Sequence, residues 1–237
     1  MIAKIATEIK ESENIYHIKP HIKNAIILTP IVIVLLQTIL WLYPATRYLS
    51  IWMLKENSPV ELLTFMLLFV DGVVGLLFAA KIKECGEEKL VYGFYALFSI
   101  GLLFVALEEI AWGQWLFGFE TPEIWKSINR QKETTLHNLA GLQGHSEIMR
   151  LIFGAGGLIG ILLSFHPVFR KVGAPALLLS WFAVIALHAS IDVLNDFVAI
   201  QKRFDYAIMK TSELIELLIA ISAFLYIRLN ARRWSSR

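Results

Sequence analysis

Six blocks of about 20 apolar residues, parted by short polar stretches, limit what this chain can become. A block of that length crosses a hydrocarbon layer about 30 Å thick as an α-helix. In lipid every backbone N–H and C=O must be paired internally, and a helix does this within a single segment. The blocks lie at about 25–45, 58–80, 90–112, 148–165, 174–197 and 212–227. They predict an all-α polytopic bundle: an N-terminal cytoplasmic or interfacial segment over 1–24, one transmembrane domain over 25–230, and a basic tail over 231–237. Composition agrees: 57% of residues are hydrophobic and 18% charged, against about 45–50% and about 25% in soluble domains.

The ends of the blocks carry local signals. Ser58-Pro59-Val60-Glu61 reads as a capping box with proline in the first helical turn, and Ser212 followed by Glu213 reads as a second cap. Residues 1–24 mix lysines with glutamates and show no cleavage site for a signal peptide. Ile2, Ile5, Ile9 and Ile18 give that segment an apolar stripe suited to the membrane interface. The one long connection, 113–147, contains Thr121-Pro122, which predicts a short surface helix over 122–129.

Lysine and arginine set the expected orientation. The segments 1–24, 81–90, 166–173 and 228–237 hold 13 basic residues in 52 positions, whereas 44–58, 113–147 and 197–212 hold 8 in 66. The bias places both termini in the cytoplasm of a multi-pass protein of the cell (inner) membrane. Trp41, Tyr43, Tyr48, Trp52, Trp112, Trp115 and Trp125 then form an aromatic belt at the outer boundary. Gly154, Gly156, Gly157 and Gly160 in the fourth span suit close helix packing.

Several function classes drop out. A net charge of +2 with no basic run argues against nucleic acid. A single cysteine, Cys85, excludes an internal disulfide or a CxxC knuckle. No GxSxG elbow, phosphate loop, dinucleotide fingerprint or haem-attachment motif occurs.

The polar residues inside the spans carry the functional signal, because an ionisable group near the bilayer centre costs at least about 2.5–3.5 kcal/mol. They gather towards the outer side: Glu61 with Asp71 deeper in the second span, Glu108 and Glu109 ending the third, His188 and Asp192 in the fifth, Glu213 and Glu216 opening the sixth. The outer loop adds Glu133, His137 and Asn138. His188 and Asp192 share a helix face, continued by Asn195. Glu108 and Glu109 point about 100° apart and cannot reach the same spot, so one is expected to face the cluster while the other serves a neighbour, the loop or Trp112.

Three readings fit this pattern. In the first, His137, His188, Asp192, Glu109, Glu213 and Glu216 supply ligands for one or two divalent transition ions, zinc, iron or manganese. Glu108, Glu109 and Asp192 are then the candidate catalytic groups, and metal-activated water would hydrolyse a lipid or lipid-linked head group. In the second, the same acids with Asp71 form a proton or ion pathway, as in a coupled transporter. In the third, Glu61 and Glu213 complement helix dipoles and the chain is a non-catalytic subunit docking a partner through its outer loop. Glu61, Asp71, Asn138 and Asn195 complete the polar cluster in every case. The partner alternatives are membrane lipid, a second copy of the chain, or another membrane protein.

The stretch Glu108-Glu109-Ile110-Ala111-Trp112-Gly113-Gln114, with Gly118-Phe119-Glu120-Thr121-Pro122 and Glu133-Thr134-Thr135-Leu136-His137-Asn138, resembles motifs of a group of prokaryotic polytopic membrane proteins. The opening Glu56-Asn57-Ser58-Pro59-Val60-Glu61 resembles the same group. That resemblance implies a site on the outer side and no particular reaction. The imidazole-and-carboxylate set is also loosely similar to the ceramidase and adiponectin-receptor membrane hydrolases. Those have seven spans and HxxxH, whereas Asp192 stands at the second position here.

Overall fold

A computed structural model describes residues 1–55, 58–129, 134–136, 146–197 and 202–235. Among them the chain is all-helical, and six helices are long and apolar enough to cross a membrane. The helices are α1 (Ile2–Tyr16), α2 (Pro20–Leu42), α3 (Pro44–Met53), α4 (Pro59–Glu84), α5 (Lys89–Glu109), α6 (Gln114–Phe117), α7 (Glu123–Ile128), α8 (Ser146–Leu163), α9 (Leu179–Phe197) and α10 (Lys202–Ser235). The spanning helices are α2, α4, α5, α8, α9 and α10. Prolines open α2, α3 and α4 at their first turns, where a missing N–H costs nothing.

Two pairs organise the bundle, α4 with α5 and α8 with α9, and α10 packs against both α4 and α9. Accordingly 61% of the spanning window of α10 is buried, against 17% for α2 at the edge. The pairs are close because glycine permits it. A Cβ on Gly157 would stand 2.2 Å from the Phe182 ring, and one on Gly154 2.7 Å from the Ala186 backbone. Gly72 and Gly75 meet Leu103 and Ser99 in the same way, drawing α4 onto α5.

Proline inside α2 also joins helices. Pro30 has no N–H to offer the carbonyl of Ile26 one turn earlier. That carbonyl accepts instead from Trp181 Nε1 of α9 at 2.7 Å, and the next one, Ile27, accepts from Ser180 Oγ at 2.7 Å.

Six spans bring both termini to one face, called here the terminal face. There α1 does more than lie on a surface. Tyr16 and Ile18 are buried, Ile5 and Ile9 pack on the core, and Ile2 of the expected stripe is 84% exposed. Tyr16 donates to Glu8 Oε1 at 2.6 Å, and the same oxygen accepts the Ala176 N–H at 3.3 Å. The turn after α8 is tied down by Tyr95, which donates to the Lys171 carbonyl, and Tyr226, which donates to that of Val172.

Four boundaries differ from the sequence reading. The first span ends at Leu42, and Pro44 begins the separate helix α3. Ser58 is the N-cap residue of α4, but its hydroxyl donates back to the Met53 carbonyl at 2.6 Å, so no capping box forms. Ser212 caps nothing: α10 starts ten residues earlier, at Lys202, and Ser212 donates to the Met209 carbonyl. No glycine or proline interrupts 202–235, so nothing stops the helix from beginning early or running through the expected tail to Ser235. The expected surface helix over 122–129 forms as α7.

Candidate functional site

The site begins where α5 ends. Ala111 and Trp112 adopt φ of 46° and 56°, and Gly113 follows at 83°, so the chain reverses through three left-handed residues. Two of these carry a Cβ, at about 1–2 kcal/mol each. What holds them is Glu108. Its Oε1 accepts Trp112 Nε1 at 2.5 Å, and its Oε2 accepts the Leu136 N–H at 2.8 Å. Gln114 adds a second tie, donating to Thr121 Oγ1 at 2.8 Å and accepting the Thr134 N–H at 3.0 Å. Asn129 donates to the Thr135 carbonyl at 2.8 Å. Glu108, Trp112, Gln114, Thr121, Thr134 and Leu136 thus clip the loop to the end of α5.

Glu109, one position on, turns the other way. It lies within electrostatic reach of Glu61 on α4, of Glu213 and Glu216 on α10, and of Arg150 on α8. Glu213 is similarly coupled to Glu216, Glu61, Arg150 and the nearby Lys210.

Arg150 is the pivot, and sequence reasoning passed over it. Only 6% of this residue is exposed. Nη1 donates to Glu216 Oε1 at 2.7 Å and to Ser146 Oγ at 3.2 Å, and Nη2 donates to Asp192 Oδ2 at 2.8 Å. One guanidinium thereby joins α8, α9 and α10. A basic residue two positions inside an apolar block, at the end where acids collect, was the available signal. His188, a turn before Asp192, lies within reach of Asp192 and Arg150. Both its ring nitrogens are buried with no hydrogen-bond partner among the described residues.

The result is five carboxylates, Glu61, Glu109, Asp192, Glu213 and Glu216, drawn from four helices around one buried guanidinium. Asp71 stands below them on α4, about 15 Å further along the helix than Glu61. It is 1% exposed, and neither carboxyl oxygen has a hydrogen-bond partner among the described residues. The positive charge within its electrostatic reach is Arg228 on α10, towards the terminal face.

One other expected member, Asn195, is engaged elsewhere. Asn195 donates instead to Asp205 Oδ1 of α10, an exposed hydrogen bond of 2.7 Å. Glu133, His137 and Asn138 lie outside the described residues. Among the described residues no three His, Cys, Asp or Glu side chains are arranged to hold a metal ion. Asp192 and Glu216, expected as ligands, direct carboxylate oxygens at Arg150 instead.

Fold and site together define a multi-pass helical membrane protein with a half-buried, acid-rich cluster at the end of the bundle opposite its termini. Comparison with family models, with curated proteins and with solved structures finds no match to this chain.

Proposed function

We propose that this chain is a proton- or cation-coupled membrane transporter in which the Arg150-centred acids take up the coupling ion and Asp71 is its deeper station. The observation that carries this reading is Asp71, a carboxylate buried with no hydrogen-bond partner among the described residues, beneath the acids around Arg150. Burying an ionised carboxylate alone costs several kcal/mol, roughly, and a proton or a cation relieves that cost. His188 places an imidazole beside Asp192 that could pass a proton.

The test uses the full-length protein in liposomes holding a pH-sensitive dye, under an imposed membrane potential, with ²²Na⁺ uptake measured in parallel. One of the two fluxes is expected, falling at least tenfold in Asp71→Asn and surviving in Asp71→Glu. Absence of both fluxes overturns the reading. So does a stoichiometric transition metal that disappears in His188→Ala, which would favour a metal-dependent hydrolase completed by His137.

We further propose the inner cell membrane, with the termini cytoplasmic, on the twofold excess of basic density along that face. Cys85, the sole cysteine, is exposed on the connection between α4 and α5 at the terminal face. An impermeant maleimide should label it only after the cells are opened; labelling in intact cells reverses the topology.

A further inference from the structure

A groove of about 670 Å³ opens on the terminal face between α1 and the turn that follows α8. Lys4, Arg170, Lys171 and Arg233 line it, with Ile15 and Phe165 supplying apolar wall. Two acids, Glu8 and Glu11, share the lining, but they are not equal. Glu8 is buried and occupied by the Tyr16 hydroxyl and the Ala176 N–H. Glu11 alone is exposed to the groove.

The basic residues divide in the same way. Lys171 is engaged by both oxygens of Glu87, and Arg233 stands over the Tyr16 ring at 5.7 Å and donates to the Arg170 carbonyl. Lys4 and Arg170 are exposed and form no ion pair among the described residues. Two open cations, Lys4 and Arg170, beside one open acid, Glu11, make an anion site, with Lys171 and Arg233 already engaged behind them.

The source of the anion follows from position. The groove sits where α8 ends, and beside it Leu162, Leu163 and Val168 are 43%, 39% and 56% exposed, an apolar rim level with the last turn of a spanning helix. An anion whose own tail is apolar satisfies both features. We propose that this groove binds an anionic phospholipid, its phosphate held by Lys4 and Arg170 and its acyl chains lying on the rim formed by α8 and Val168. Basic pockets between spanning helices at the headgroup level have this chemistry. The site is separate from the acid cluster, so its fate does not depend on the transport reading.

Native mass spectrometry of the delipidated full-length protein tests it, with short-chain phosphatidylglycerol, phosphatidylcholine and inorganic phosphate as probes. Phosphatidylglycerol should bind at least tenfold tighter than phosphatidylcholine. Lys4→Gln with Arg170→Gln should lower that affinity about tenfold or more, two cations facing the headgroup having been removed. Glu11→Lys should raise it, a gain that misfolding cannot mimic. Equal binding of the two lipids, an unaltered affinity in the double variant, or full competition by inorganic phosphate would each overturn the proposal.

Discussion

Arg150 Nη2 lies 2.8 Å from Asp192 Oδ2, on a neighbouring helix and 42 residues away in sequence. With Glu216 on the other nitrogen, the guanidinium neutralises part of a crowd of acids. Removing one partner of a buried pair strands the others and costs about 3–5 kcal/mol. Asp192 and Glu216 keep 17% and 27% of their side chains exposed, so the loss expected for Arg150→Ala is at the lower end of that range. Adding Asp192→Asn and Glu216→Gln should recover part of it. Thermal unfolding in detergent measures both, and a triple variant no more stable than Arg150→Ala would deny the pivot.

The adjacent glutamates should separate in their consequences. Glu108→Gln places an amide NH2 against donors that a carboxylate accepts, at about 1–3 kcal/mol for the unsatisfied group. The Leu136 amide should then exchange its hydrogen faster, because Glu108 Oε2 is its acceptor. Glu109→Gln should leave that amide alone and alter only the response to protons or cations. Equal effects of the two on Leu136 exchange would contradict the geometry.

The division between these neighbours was readable in advance: consecutive helical positions point about 100° apart, and one carboxylate cannot follow the other. The six spans were readable for a similar reason, since length and apolarity alone set them. Arg150 was not. Its partners lie 42 and 66 residues away, and a search for acids and imidazoles gives no weight to the cation that organises them. The docking of α1 depends on a contact between Glu8 and Ala176, 168 residues apart, which no local pattern contains. Ser212 misled because a capping residue type is common within helices too, where its hydroxyl simply bonds the preceding turn.

Glycine in α8 gives an internally controlled series. At Gly157 an added methyl meets the Phe182 ring at 2.2 Å, whereas at Gly156 nothing lies within 4 Å. Overpacking typically costs about 1–3 kcal/mol. Gly157→Ala should therefore lower the melting temperature, and Gly156→Ala should leave it level or raise it slightly through helix propensity. Matching shifts at the two positions would mean that α8 and α9 are not in such close contact.

Alkaline pH should loosen α1 before the bundle yields. Burial, reinforced by the Glu8 carboxylate, raises Tyr16 ionisation well above its ordinary value of 10.0, with Arg233 opposing. The folded chain thus favours the neutral phenol more than the unfolded chain does. A raised folded value makes the stabilisation complete below about pH 10, and it fades as pH climbs from there towards the folded value. Hydrogen exchange in α1 should accelerate above about pH 10 while exchange in α10 stays slow. Tyr16→Phe removes the titrating group and the donor to Glu8, so α1 should be weaker at neutral pH by about 0.5–1.5 kcal/mol. Its dependence on alkaline pH should flatten. An unchanged alkaline slope in Tyr16→Phe would assign the loosening to another group.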